Sequence, residues 1–409
     1  MDDPTPLGER IAYYRRRRGL SQVKLAGLLG RSESWLSQVE RGVRSIDRIS
    51  VLTQVAAVLN VPVTELSPDP LLQREEATEH STVHTIRMAL SRHDALPGIL
   101  GSREVAGRAA SLAELEAEAE RAWELTHDSR YKELESFLPA LITAAEGFAR
   151  RLPAARRKAA FRSLAVTYQA TAALMAKLRE VDAGWVAGER SIAAAEQADA
   201  PLLATAGAFR IAHAFLSGNR TEEALETARS AAAVLEPAVA DGPAELVAMW
   251  GALNLAGAVA ATRAAQEDTA RECMRNAEDA ARRLRTDRND FHTEFGPTNV
   301  ALHAVSIAVE LGDAGEAIRR AATVDASKLS TERRARFLID VARAYAQRRK
   351  VTETVQTVEE AEALAPEQVR SHPFVREIVR DLLRGERRRV RPELRALAQR
   401  VGVLPIPHI

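Results

Sequence analysis

The stretch Leu20 to Gly42, LSQVKLAGLLGRSESWLSQVERG, leaves little freedom in how it can fold. Its apolar residues fall at helical spacing in two short runs, Leu25, Ala26 and Leu29, then Leu36 and Val39. Ser21 stands where its hydroxyl can cap the first helix, and Ser32 where it can cap the second. Between them Gly30 occupies the place where helices commonly end in a left-handed residue. Ala26 is small where the two helices would cross. The pattern predicts a tight helical pair that turns Glu33, Ser34, Ser37 and Gln38 outward. A plain helical hairpin with a polar surface is the alternative reading, but it does not require caps, glycine and outward residues to fall in register.

Through Ser21-Gln22, Leu25-Ala26 and the run S-x-x-W-L-S-Q-V-E-R-G ending at Gly42, the segment resembles the lambda-repressor-like (XRE) helix-turn-helix family. That resemblance implies a five-helix DNA-binding domain over residues 1–68, with the second helix of the pair in the major groove. It places Gln22, Arg31, Glu33, Ser34, Ser37, Gln38, Arg41 and Arg44 at the duplex. The chemistry of those residues agrees: glutamine can bond adenine twice, serine serves several bases, and a carboxylate accepts from the cytosine amino group. Arginines flanking the recognition helix would hold phosphates, although Arg41 and Arg44 could equally be solvated loop charges. Glu33 also repels phosphate unless a base or the helix terminus compensates it. The family further implies an ion pair between Arg15, at the end of a first helix over 5–18, and Glu40.

Net charge is +1, so any nucleic-acid contact needs a local patch rather than a global basic field. One cysteine, Cys273, excludes an intrachain disulfide and a thiolate zinc site, and fits a reducing compartment. Only 6 of 57 basic residues are lysine and alanine is abundant, a bias that points to a GC-rich bacterial genome. No apolar run is read as a membrane span and the acidic start is no signal peptide, so a soluble cytoplasmic protein is expected. Neither H-E-x-x-H, a phosphate-binding G-x-x-x-x-G-K-[ST] nor a G-x-S-x-G elbow occurs. No enzyme activity, cofactor or metal is therefore expected.

Aromatic residues make up only 4% of the chain, and alternating Val/Ile/Thr runs between hairpin turns are nearly absent. The fold class is read as all-α. Residues 69–110 form a linker with one helix over 80–93, its Val83, Ile86 and Leu90 inward. From 111 to 390 helical stretches follow one another with short breaks at Gly218-Asn219, Ala265-Gln266, Gly312-Asp313 and Arg349-Lys350, spaced 47, 47 and 37 residues apart. That is the pattern of a helical-pair solenoid. Leu311-Gly312, Glu316-Ala317, then Ala342, Tyr345, Ala346 and Pro366, make it similar to tetratricopeptide repeats, though with longer and irregular units. Residues 391–409 are a basic tail; between Arg384 and Arg400 seven arginines face two glutamates, as in a solvated cap.

A solenoid of this kind offers a concave face lined by the first helix of each pair, suited to an extended ligand. Three duos of polar or aromatic residues stand out in the Ala/Leu-rich helices, each on one helical face: Arg210 and His213, Trp250 and Asn254, Asn299 and His303. They are the expected effector site, the alternative for each being a hydrogen-bonded core or plain surface residue. In the peptide-sensing regulators that this architecture resembles, inward asparagines hold peptide backbone. Trp123 and Trp185 are read as packing residues. The expected function is a homodimeric DNA-binding transcription regulator whose solenoid senses a peptide or small molecule. The alternative makes the solenoid a docking scaffold for a protein partner.

Overall fold

Alanine-rich apolar stripes with few β-branched runs can bury themselves only by packing helix on helix. In the structure, a computed structural model that describes residues 7–29, 33–43, 55–56, 58–59, 61, 66, 83–91, 111–385 and 391–404, every regular element is helical. The chain divides into two compact units, Met1–His84 and Thr85–Ile409.

The first unit contains α1 (Leu7–Arg17), α2 (Gln22–Leu28) and α3 (Glu33–Glu40). Ile11, Leu25, Ala26, Leu29, Leu36 and Val39 form its core together with Val55, Ala56, Leu59 and Leu66. Ser21 caps α2 by accepting from the Lys24 amide at 3.1 Å. Gly30, Arg31 and Ser32 at the turn, and Arg44 beyond α3, lie outside the described residues, as does most of the expected fourth and fifth helices.

A helical stretch at 83–91 runs across the boundary into the second unit, where its Ile86 and Leu90 join the hydrophobic core. Six helical hairpins follow: α4 (Leu112–His127) with α5 (Tyr131–Arg151), α6 (Ala154–Lys177) with α7 (Val181–Gln197), α8 (Pro201–Ser217) with α9 (Thr221–Val239), α10 (Ala244–Arg263) with α11 (Glu267–Leu284), α12 (Pro297–Glu310) with α13 (Ala314–Ala321), and α14 (Thr331–Gln347) with α15 (Val351–Leu364). Short helices α16 (Pro366–Ser371), α17 (Pro373–Gly385) and α18 (Pro392–Arg400) complete the described residues. Leu394, Leu397 and Ala398 seal the end of the core, while Arg400 holds Glu362 at 2.8 Å and Glu359 at 3.0 Å. The basic stretch is thus partly committed to the fold.

One turn recurs at Ser129, Arg179, Asp199, Asn219, Ala265, Gly312 and Arg349, each in the left-handed region. In each case the next amide bonds back five residues, as from Arg130 to Leu125 (2.9 Å), Gln266 to Ala261 (2.8 Å) and Lys350 to Tyr345 (3.0 Å). This closes the helix on its otherwise unpaired carbonyls. A left-handed residue other than glycine costs roughly 1 kcal/mol. Only Gly312 of the seven is a glycine, which is why several of these turns escape a search for glycine.

Small residues let the helices approach closely. On α10, a Cβ at Gly251 would lie 2.7 Å from Phe295 Cε2 and closer still to the rest of that fully buried ring. This helix corrects one expectation: Ala244–Arg263, with a mean hydropathy of 1.4, is long and apolar enough to cross a membrane. Its apolarity has another cause, since neighbours surround it and Val247 to Ala258 are buried at nearly every position.

The first helices of the hairpins form a closed circuit, α4 against α6, α6 against α8, and so on through α10 and α12 to α14, which packs back against α4. Ser129 Oγ donates to Gln368 Oε1 (2.9 Å) and the Lys132 amide to Glu367 (2.9 Å), both on α16, and Lys177 donates to Glu332 of α14, tying the first two hairpins to the last one and the helix after it. The expected open concave face is therefore replaced by an enclosed axis. Substituting Gly251→Ala drives a methyl into Phe295 and is expected to cost about 1–3 kcal/mol, read as a lower urea midpoint for the helical unit; an unchanged midpoint would refute the close approach.

Candidate DNA-contact surface and axial cavity

In the first unit, α1 crosses α3 at backbone contact, because a Cβ at Gly8 would meet the Val39 carbonyl and come within 2.7 Å of the Glu40 carbonyl oxygen. The crossing carries Arg15 to the buried Glu40. Arg15 donates from Nε to Oε1 (2.6 Å) and from Nη2 to Oε2 (2.9 Å), and from Nη1 to the Leu20 carbonyl (2.8 Å). The hydrogen bonds to Glu40 raise the Arg15 pKa against the opposing effect of burial. Gln22 Nε2 also donates to Glu40, at 2.7 Å. One carboxylate so fixes α1, the start of α2 and the end of α3.

Helix α3 leaves Glu33 and Ser34 exposed in its first turn, Ser37 and Gln38 half-buried one turn on, and Arg41 exposed past its end. Arg41 Nε rests on the Ser37 carbonyl at 3.2 Å. Trp35, Leu36 and Val39 pack into the core on the other side. The face so formed pairs hydroxyl, amide and carboxylate groups with a cation at its margin, a set able to bond base edges and a phosphate.

In the second unit the six inner helices surround a cavity of about 220 Å³. Trp123 and His127 reach it from α4, Lys177 from α6, Arg210 and His213 from α8, Arg263 from α10, Asn299 and His303 from α12, and Glu332, Arg333, Arg336 and Asp340 from α14. His292 and Glu294 come from the short turn before α12, and Leu216, Val259, Leu302 and Phe337 supply apolar wall. Lys177 lines the cavity with part of its side-chain surface left uncovered, and burial lowers its pKa despite the adjacent Glu332.

Most charges here are matched. Glu332 faces Lys177, Glu294 accepts from the Ser330 amide and hydroxyl (2.8 Å each) and lies 3.5 Å from Arg333, and Asp340 lies 3.1 Å from Arg343 and 3.5 Å from Arg336. Burial would raise the Glu332 pKa, but Lys177, Arg333 and Arg336 outweigh it and hold it at about 2. Arg210 differs. Its Nη2 donates only to the carbonyls of Phe291 (2.8 Å) and His292 (3.0 Å), and its guanidinium lies 4.4 Å over the Trp123 ring. Trp123 stacks on its other neighbour, His292, at 4.3 Å and 6°. Burial, assisted by Arg333, pulls the Arg210 pKa down to about 9. His213 falls well below its ordinary value, His303 to about 4 and His292 to about 3, in each case through burial first and neighbouring cations second.

Residues 6–68 match the family model described as a helix-turn-helix domain. The N-terminal unit is an XRE-like helix-turn-helix domain. Similar proteins include the HTH-type transcriptional regulator SlrR of Bacillus subtilis (strain 168), 36% identical over 84 residues that cover 20% of this chain and 55% of that one. The HTH-type transcriptional regulator SinR of Bacillus licheniformis is 36% identical over 74 residues, 18% of this chain and 62% of its own. The chain thus spans between half and two thirds of the curated relatives it matches. Among solved structures, Bacillus thuringiensis PlcR in complex with the peptide PapR7 and DNA is 14% identical, over 68% of this chain and 95% of that one, with a TM-score of 0.27.

Of the residues assigned to the duplex, Glu33, Ser34, Ser37, Gln38 and Arg41 share the exposed side of the helix-turn-helix domain. Gln22 spends one amide proton on Glu40, leaving its other N–H and its carbonyl for a base; Arg31 and Arg44 lie outside the described residues. Of the residues assigned to an effector, Arg210, His213, Asn299 and His303 meet at the cavity. Trp250 and Asn254 do not. They turn toward the core, where Asn254 donates to the Trp250 carbonyl (2.9 Å) and accepts from Asn276 (3.1 Å), tying α10 to α11. It is Arg263, further along α10, that faces the axis.

Trp123, read as a packing residue, is buried at the cavity wall, and Trp185 is exposed. Sequence reasoning also missed Lys177 and the α14 set. The available signal was the three- and four-residue spacing of Arg333, Arg336 and Asp340, which puts them on one face and resembles that of Asn299, His303 and Ser306. Because His303 is neutral in the fold, acid favours the unfolded chain, which takes up a proton from about pH 6.5 downward while the folded chain resists until about pH 4. Replacing His303→Gln is expected to remove about 1.4 kcal/mol per pH unit of that acid destabilisation. Urea midpoints measured across this range check it, and an unchanged slope would count against a buried neutral imidazole.

Proposed function

We propose that the protein is a DNA-binding transcription regulator, acting in the bacterial cytoplasm as a homodimer, whose helical unit senses an effector at its axial cavity. The carrying observation is the exposed face of α3, with Glu33, Ser34, Ser37, Gln38 and Arg41 turned out from a core locked by Arg15 and Glu40. Arg41, with Arg31 and Arg44, supplies phosphate affinity, and Gln22, Ser34, Ser37 and Gln38 supply base readout. Support comes from the printed names of SlrR and SinR, which are HTH-type transcriptional regulators. A two-fold dimer would read half-sites about one helical turn, or a multiple of it, apart.

The effector shifts DNA binding to the extent that it binds one conformation better than another. A pure protein-docking scaffold, the rival reading, leaves without purpose the buried polar atoms that line the cavity. Selection from genomic fragments at low salt, followed by footprinting, tests the duplex claim, and indifference to every fragment would end it. With a site in hand, Arg41→Ala is expected to weaken all sequences alike and to lower the salt slope by about one. Gln38→Ala is expected to cost about 1–3 kcal/mol at one base position and to relax preference there. Equal loss on specific and scrambled DNA for Gln38→Ala would remove it from base readout.

A further inference from the structure

We propose that the axial cavity binds a small organic anion, a carboxylate or phosphate monoester on an apolar body, through Arg210 and Trp123. The inference deepens the effector reading, on which its regulatory meaning rests, but the binding claim stands on the cavity alone. Five cations reach the cavity, and four have an acidic partner among the described residues: Lys177 and Arg333 with Glu332 and Glu294, Arg336 with Asp340, and Arg263 with Glu310 at 3.3 Å. Arg210, only 6% exposed, touches carbonyl oxygens and aromatic faces and has no carboxylate within ion-pair distance among the described residues, with Glu332 and Glu294 acting on it from farther off. A buried charge without a counterion is costly, and an anion beside it recovers that cost.

Hydrogen-bonding capacity points the same way. Arg210 Nε and Trp123 Nε1 are buried donors with no partner among the described residues, and both residues line the cavity. Donors of this kind call for acceptor oxygens, and a guanidinium stacked over an indole, each with an unpaired N–H, suits the planar or tetrahedral head of an oxyanion. Asn299 Oδ1, on a residue 3% exposed, is a buried acceptor without a partner among the described residues and asks for one hydroxyl or amide donor elsewhere on the ligand. The apolar side of the space, Leu216, Val259, Leu302 and Phe337, fits a hydrocarbon or aromatic body. About 220 Å³ lies below the roughly 300–1,000 Å³ of drug-sized sites, which selects a metabolite rather than an extended peptide.

Isothermal titration of the full-length protein with phenylacetate, phenyl phosphate, inorganic phosphate and the neutral phenylacetamide tests the proposal. One or both aromatic anions are expected to bind at least tenfold more tightly than phenylacetamide, and the stronger of the two tells carboxylate from phosphate chemistry. Inorganic phosphate binding as tightly as either would overturn the apolar-body part. Arg210→Gln is expected to weaken the anion about 10- to 100-fold and phenylacetamide by much less, so that the preference for the anion is lost. Since Arg210 also holds the turn at Phe291 and His292, Trp123→Phe provides a milder variant that keeps the ring and loses the N–H, with an expected several-fold loss. Binding of the neutral amide as tight as that of the anions, or anion affinity unchanged in both variants, or no binding of any probe at millimolar concentration, would each overturn it. Repeating the titration with operator DNA bound separates the two layers: anion binding that leaves DNA affinity unaltered keeps the site and removes its regulatory role.

Discussion

Glu332, buried near the start of α14, meets Lys177 of α6 across 155 residues of sequence, and that contact draws the last hairpin back onto the first ones. Gln368 Nε2 reinforces it by donating to the Glu332 carbonyl at 3.3 Å, while its Oε1 accepts from Ser129. Withdrawing a carboxylate from water costs about what a single cation returns. The value of the contact is therefore in registry: it selects which helices touch when six similar hairpins could stack as an open spiral. Once α14 lies against α4, the inner helices enclose a space instead of lining a groove, and their polar residues face one another.

That enclosure explains the electrostatics. Cations and carboxylates from neighbouring helices neutralise each other around most of the circuit, and burial keeps His213, His292 and His303 uncharged. Arg210 is the exception because its helix, α8, stands opposite aromatic and backbone groups, Trp123 and the 291–292 carbonyls. A cation held by carbonyl dipoles and a π face remains attractive to an anion, while one already paired does not.

The helix-turn-helix domain uses a related device at smaller scale. Glu40 is buried yet accepts three donors, two from Arg15 and one from Gln22, so its charge is compensated at the place where three helices meet. Helix α3 can then expose small polar side chains without relying on them for stability. A surface made of Ser34, Ser37 and Gln38 needs such an arrangement, since those residues contribute little to a core.

Helices, their approximate ends and the polarity of the α3 face were legible in the residues, because helical periodicity, caps and turn chemistry act within a few neighbours. Ser21, Leu36 and the breaks at Asn219 and Ala265 are local signals of that kind. The pair Arg210 and His213 was likewise visible as polar residues on one face of an apolar helix. Which face of α10 looks at the axis was not: Trp250 and Asn254 share a face as convincingly as Asn299 and His303 do, and only the packing of α11 turned them into the core. The circuit itself, Lys177 on Glu332 and Trp123 beneath Arg210, joins residues far apart in the chain, and no local pattern encodes the small rotation per hairpin that brings them together. Periodicity determined the helices; accumulated packing geometry decided that they enclose a cavity.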